Sequence, residues 1–360
     1  SSDLTGAGWV AVPTPPSDHP GGPTMLKTGI RWYLVALGLI GCAALAALLL
    51  CPASPTFTTP VYAHDAPDPA VIRADDGVFY AYTTQSLYSD RINIPILRSA
   101  DLVQWELVGD AFPEWPDWVM GDLWAPHIIR YRDRFYLYYS AREYGSGNMA
   151  IGVAVADDPL GPFVDKGAPL ARGPSFTTID PFVLEVDGQL YLYWGSAGAP
   201  IRVQPLAEDG LSLVGEAQAV LWPSKDLARG YESLVEGPWI IQHGSYYYLM
   251  YSGNACCGDH AHYAVMVARS RSPFGPFEKY EENPILESNE KFWAPGHNAT
   301  IQDFAGQDWI LYHAMRQGDV TQQRYMLLDR IEWRDGWPVI NDGQGPSWAP
   351  QVGPVVRPVR

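Results

Sequence analysis

The chain has 360 residues, of which 47% are hydrophobic and only 18% charged, which suits one large or two medium domains with a sizeable core. A net charge of −16 argues against nucleic acid, whose phosphates need a basic surface, and disfavours anionic polysaccharides. Aromatics reach 13%, with 14 Trp and 21 Tyr; β-rich cores use such residues, and so do surfaces that stack on the apolar faces of sugars.

Residues 1–24 are rich in Pro, Gly and Ser without apolar periodicity and are expected to be disordered. In residues 25–53, Lys27 and Arg31 precede an uncharged stretch from Trp32 to Cys51. That pattern reads as a signal peptide or a signal anchor. With the positive residues on the N-terminal side, the remainder is expected on the outer side of the membrane, secreted or anchored by this segment. The stretch "LIGC" ending at Cys42 resembles a lipoprotein processing site, although apolar residues continue past it. Residues 54–63 read as a linker and 64–360 as the catalytic domain.

Past residue 64 helical periodicity gives way to alternating strands that repeat. "DGVFYAYTTQ", "RDRFYLYYSAR", "DGQLYLYWGSA", "HGSYYYLMYSG" and "AGQDWILYHAM" each show a turn and an aromatic strand ending in a small or polar residue. Their anchors Tyr80, Tyr136, Tyr191, Tyr247 and Trp309 are spaced by 56, 55, 56 and 62 residues. Several strands per unit at such a period indicate a β-propeller, and five copies indicate five blades. A sandwich would alternate without repeating at this interval.

Three acids stand just upstream of the repeat strands: Asp68 in "HDAPDPAVI", Asp180 in "TTIDPFVLEVDG" and Glu236 in "VEGPWIIQHG". They lie twelve, eleven and eleven residues before their anchors, each followed by Pro directly or after one Gly. Repeat geometry places all three at the funnel end of an innermost strand. One acid–Pro pair is as readily a turn cap; three in register point to a shared pocket. Asp65, before "APDP", reads as a loop residue. Carboxylates crowded in one cavity cannot all ionise without cost, so at least one is a competent general acid. An acid and a base flanking a scissile bond is the arrangement for glycoside hydrolysis. Adjacent Cys256 and Cys257 lack the C-x-x-C spacing of zinc sites. They are expected either as a disulfide between neighbours or as buried thiols.

These motifs, with "DLWAPHI" at Asp122, "CCG" at Cys256, "PGHN" at Pro295 and "EWRDGWP" at Glu332, resemble glycoside hydrolase family 43, the five-bladed arabinofuranosidases, arabinanases and β-xylosidases. The resemblance runs from about His64 to the end. It implies an inverting glycosidase with Asp68 as general base, Glu236 as general acid and Asp180 tuning that acid. It also implies Trp124 as a wall of the sugar site, Arg324 reaching sugar hydroxyls, and His297 in the funnel, where several members hold a hydrated calcium. No cofactor is implied for the chemistry. The implied substrates are arabinan, arabinoxylan or derived pentose oligosaccharides, of arabinofuranosidase or arabinanase type, with β-xylosidase or a non-catalytic polysaccharide-binding propeller as alternatives. The chain is expected as a monomer that meets the membrane only through its N-terminal segment. His127 in "WAPH" stands where relatives commonly carry an acid, so the sugar subsite near it is expected to differ. Retaining five-bladed fructosidases carry "NDP", "RDP" and "EC" where this chain has "PDP", "IDP" and "EG".

Overall fold

Each aromatic repeat strand is the second strand of an antiparallel sheet, and five such sheets form the blades of a propeller. The computed structural model describes residues 55–86 and 92–356, all within the unit Ser54–Arg360. The expected extension over 1–24 and the apolar segment 25–53 lie outside the described residues.

The innermost strands are Ala70–Arg73, Val119–Tyr131, Phe182–Val186, Glu236–His243 and Phe292–Gln302 in blades one to five. Each touches the innermost strand of the next blade, and the fifth touches the first, which closes the ring. The second strands are Phe79–Tyr82, Arg134–Glu143, Gln189–Trp194, Tyr246–Ala255 and Asp308–Arg316. The third and fourth strands complete each sheet outward; in blade two the outer edge consists of two short pieces, Val164–Asp165 and Ala171–Arg172. Helix is confined, among the described residues, to two short 3₁₀ segments, Ala228–Ser233 and Asn341–Gly343.

Five apolar clusters fill the five gaps between neighbouring blades. Tyr82 and Ile96 of blade one meet Leu137 and Tyr139 of blade two. Tyr138 and Val153 meet Leu192 and Trp194, Tyr193 and Val203 meet Leu249 and Met266, and Met250 and Val267 meet Ile310 and Tyr312. Trp309 and Leu328 meet Val71 and Phe79, so blade five closes on blade one. A strand buried on both faces needs apolar side chains in every position, which is why the repeat strands read as near-continuous aromatic runs. Each fully buried Leu, Ile or Phe stabilises by about 1.5–3 kcal/mol.

The closure is reinforced outside the blades. Thr56–Phe57, within the expected linker, pairs with Gln351–Val352. Tyr62 bridges to Met326, and the Ala66 N–H donates to the Arg324 carbonyl at 2.9 Å. These contacts carry the chain into blade one with Asp68 already at the funnel.

Close approach matters most at Gly296, on the innermost strand of blade five. A Cβ there would lie 2.0 Å from the ring of Tyr263, which projects from blade four and is fully buried. Gly296→Ala is therefore expected to lower stability by roughly 1–3 kcal/mol through overpacking. A thermal melt with an unchanged midpoint would contradict this packing.

Candidate active site

The funnel end of the innermost strand is built alike in all five blades. One residue there adopts a left-handed backbone conformation: Asp68 (φ 53°), Ala125 (44°), Asp180 (62°), Gly237 (58°) and His297 (48°). Asp and His enter this region more readily than most residues, and holding it costs about 1–3 kcal/mol. A polar side chain at the end of the preceding blade's second strand supports it. The Ala125 N–H donates to Thr84 Oγ1 at 2.7 Å, the Asp180 N–H to Ser140 Oγ at 2.9 Å and the His297 N–H to Ser252 Oγ at 2.8 Å. The same place before blade one is taken by His313, whose Nδ1 lies 3.2 Å from the Asp68 nitrogen and 3.0 Å from Asp68 Oδ1.

Blade four departs from this rule. Gly237 takes the left-handed position and its N–H donates to Asp180 Oδ2 at 3.0 Å. Glu236 stands one residue earlier, and the strand register shifts between Glu236 and Trp239. The three acids thus share a cavity but not one register: Asp68 and Asp180 are equivalent, and Glu236 is offset. Ser196, in the supporting position for blade four, donates its hydroxyl to Glu236 Oε2 instead of receiving a backbone N–H.

All three acids line one cavity of about 560 Å³ together with Trp124, His297 and Arg324. The structure therefore brings every residue expected at the site into one place. Asp68 is 7% exposed, Asp180 5% and Glu236 9%. Their environments differ. Asp68 Oδ2 accepts from Thr84 Oγ1 at 2.5 Å, and Arg324 Nη1 lies 3.3 and 3.4 Å from its two oxygens. Burial alone would raise the Asp68 pKa, but Arg324, His297 and His313 outweigh it and hold the carboxyl well below the usual range. Burial pushes Asp180 well above its usual range, aided by the charges of Glu236 and Asp68. Burial also raises Glu236, against the hydroxyls of Ser196 and Tyr263; Tyr263 donates to its Oε1 at 2.8 Å. Charge therefore favours the ionised form of Asp68, and burial favours the protonated forms of Asp180 and Glu236.

Trp124 lies parallel to Phe176, with centroids 6.1 Å apart and planes at 7°, and forms one apolar wall. Arg142 lies 5.5 Å from the Phe176 ring centre and pairs with Asp122 at 2.5 Å, so "DLWAPHI" supplies the wall and its backing. Asp65 lines the same cavity and accepts the Arg324 N–H at 3.1 Å, steadying the loop that carries the guanidinium. The neighbours Cys256 and Cys257 form a disulfide, and both line the cavity.

His127 is a correction. It is 4% exposed, does not line the cavity, and packs edge-on against Phe182 and Trp239 beneath it. The last of three register shifts in Val119–Tyr131 carries the strand from Trp124 at the wall to His127 in the core. Its Nδ1 accepts the Val183 N–H at 3.2 Å, and burial pushes its pKa down to about 3, so it is neutral. It shapes no sugar subsite directly.

The side chains around His297 do not form a metal ligand set. Its Nδ1 is 3.5 Å from Asp68 Oδ1 and 3.8 Å from Asp180 Oδ2, with Arg324 competing for Asp68. Among the described residues no group of three His, Cys, Asp or Glu side chains is placed to ligate a metal directly. Burial lowers the His297 pKa, against the opposing pull of the Asp68 carboxylate.

Sequence reading missed the groups that hold the acids: Thr84, Ser196, Tyr263 and His313. Four of the five supporting side chains (Thr84, Ser140, Ser196, Ser252) are hydroxyls, four or five residues past the anchors, at the small or polar ends of the repeat strands. Tyr263 left no such signal.

The model of the family "Glycosyl hydrolases family 43" matches residues 57–338. An extracellular exo-α-(1→5)-L-arabinofuranosidase of Cellvibrio japonicus is 29% identical over 323 residues, covering 80% of this chain and 89% of that protein. An extracellular endo-α-(1→5)-L-arabinanase of Bacillus subtilis is 26% identical, covering 76% of this chain and 69% of that protein. The crystal structure of a thermostable family-43 glycoside hydrolase superposes with a TM-score of 0.71 at 31% identity, covering 84% of this chain and all of that one.

The raised Asp180 pKa has a consequence for stability. As pH rises from the ordinary carboxylate range to the raised folded value, the unfolded chain has lost this proton and the folded one has not, so stability falls across that window. Asp180→Asn keeps an acceptor for the Gly237 N–H and removes the titration. Its thermal midpoint relative to the parent is expected to improve more at pH 7 than at pH 4; an equal or smaller gain at pH 7 would contradict a raised pKa.

Proposed function

The chain belongs to glycosyl hydrolase family 43, and from that membership we propose that it is an exported, inverting glycosidase that cleaves arabinan and arabinose-containing oligosaccharides. As a member it is a glycosidase acting on O-glycosyl bonds, and its chemistry needs no cofactor. The observation that carries the mechanistic reading is the divergence of two carboxyl environments in one cavity: Arg324 favours the ionised form of Asp68, and burial favours the protonated form of Glu236.

In the reaction, the Asp68 carboxylate takes a proton from a water as that water's oxygen bonds the anomeric carbon. The Glu236 carboxyl gives its proton to the glycosidic oxygen as the bond to the leaving sugar breaks. One proton enters at Asp68 and one leaves at Glu236, and exchange with solvent resets both. Asp180, fixed by the Gly237 N–H, sits beside the acid and sets the share of the proton that Glu236 holds. The ionised Asp68 also opposes deprotonation of Glu236. Trp124 and Phe176 offer a flat apolar face for a pentose, and Arg324 has donors that can serve Asp68 and a sugar hydroxyl together.

The arabinan assignment is supported by the activities named for the Cellvibrio and Bacillus relatives. The presence of all three acids disfavours a propeller that only binds polysaccharide. Export through residues 25–53 is supported by the word extracellular in both relatives' names. No helix among the described residues is long and apolar enough to cross a membrane.

Reducing-sugar release is expected from linear arabinan and arabino-oligosaccharides in preference to xylan. Asp68→Asn and Glu236→Gln preserve packing volume and are each expected to lower kcat by ~10²–10⁴, the usual worth of one proton-transfer group, with the melting temperature retained. Either variant keeping more than about a tenth of parental activity would overturn its assignment, and release from xylan alone would overturn the arabinan reading.

A further inference from the structure

The disulfide between Cys256 and Cys257 has no part in the proton transfers, yet both residues line the same cavity as the acids. It sits in the turn between Tyr246–Ala255 and His262–Ser270, on blade four. Cys256 is half-buried and packs back onto Tyr263, Ala294 and Met315, whereas Cys257 is exposed. The turn is held on both sides. Asn254 Nδ2 lies 3.0 Å from His262 Nδ1, whose ring stacks on Tyr231 at 4.0 Å, and Gln322 of blade five donates to Asp259. A disulfide has no N–H or O–H to satisfy, and its sulfurs are soft and polarisable, so a face presented to a cavity suits the C–H face of a sugar.

Its place relative to the acid assigns which sugar. Tyr263 packs against Cys256 with its ring and donates its hydroxyl to Glu236 Oε1 at 2.8 Å. Glu236 must reach the glycosidic oxygen, so the leaving sugar lies on its side of the bond. Asp68 and Arg324 mark the water's side, from blades one and five. Trp124 of the aromatic wall stands on blade two, which does not adjoin blade four, and Phe176 lies in the connection from blade two to blade three. We propose that the Cys256–Cys257 disulfide is the platform on which the leaving-group sugar of an arabino-oligosaccharide packs, a specificity element distinct from the aromatic wall. This rests on the reading of Glu236 as the general acid and of arabinan as the substrate.

The test compares two substrates that differ only beyond the scissile bond. Arabinotriose has a leaving sugar; α-L-arabinofuranosyl fluoride has none. The full chain carrying Cys256→Ala and Cys257→Ala is expected to hydrolyse the fluoride within about twofold of the parent and to lose roughly tenfold in kcat/KM on arabinotriose, the scale of one apolar contact in a pocket. The parental enzyme treated with a water-soluble phosphine, with two new thiols counted at these positions, is expected to show the same selective loss and to recover on reoxidation. Unchanged arabinotriose hydrolysis in the reduced enzyme, or equal loss on both substrates, overturns the platform. Should the double variant lose both activities, the reduced parental enzyme decides between these outcomes. A parental enzyme that turns over neither substrate overturns the arabinan reading itself, and this inference with it.

Discussion

The site depends on one repeated interaction: a polar side chain at the end of each second strand holds the funnel turn of the next blade. Thr84, Ser140, Ser252 and His313 stand beside the nitrogens of Ala125, Asp180, His297 and Asp68, all left-handed. A left-handed residue ahead of a proline is strained, and it persists only where its surroundings hold it. The return is positional. A left-handed step turns the side chain into the funnel, so two of five equivalent slots present a carboxylate and one an imidazole. Because the support comes from the preceding blade, closure of the propeller and assembly of the site are one event: His313 reaches Asp68 only when blade five meets blade one.

The exception in blade four explains the division of labour. With Gly237 in the slot, its N–H is turned to Asp180 and Glu236 is offset by a residue toward Ser196 and Tyr263. Neutral hydroxyls stabilise a carboxylate less than a guanidinium does, so burial wins at Glu236 and charge wins at Asp68. Two acids on one scaffold thereby have their pKa values pushed in opposite directions. Tyr263 sits between them. Its hydroxyl serves Glu236, and its ring stacks at 5.7 Å on His313, which touches Asp68, so both carboxyls are braced by one packed pair.

Much of this was legible in the residues. The spacing of Tyr80, Tyr136, Tyr191, Tyr247 and Trp309 follows from one sheet per repeat, and those residues lie on the second strand of each blade. The acid–proline pairs marked Asp68 and Asp180 because the left-handed slot tolerates few residue types. Glu236 is marked by the same spacing, and the Gly before its proline carries the offset, although the change of partners that follows from it leaves no periodicity behind. His127 was misplaced for a similar reason: three shifts in one strand carry it under the cavity, and alternation cannot count them. The role of Tyr263 was hidden because it depends on the gap at Gly296 in another blade, a contact between positions far apart in sequence. The surroundings of the His297 ring, two carboxylates and a guanidinium, are decided by tertiary placement and have no counterpart in the spacing.

Centrally, we propose that Asp68 activates water and does not attack the sugar. Proton NMR of the first product formed from an arabino-oligosaccharide, recorded before mutarotation, tests this most directly. A base standing about 6.5–9.5 Å from the acid, with room for the water between them, predicts a sugar of inverted anomeric configuration. A first product of retained configuration would contradict it and make Asp68 a nucleophile.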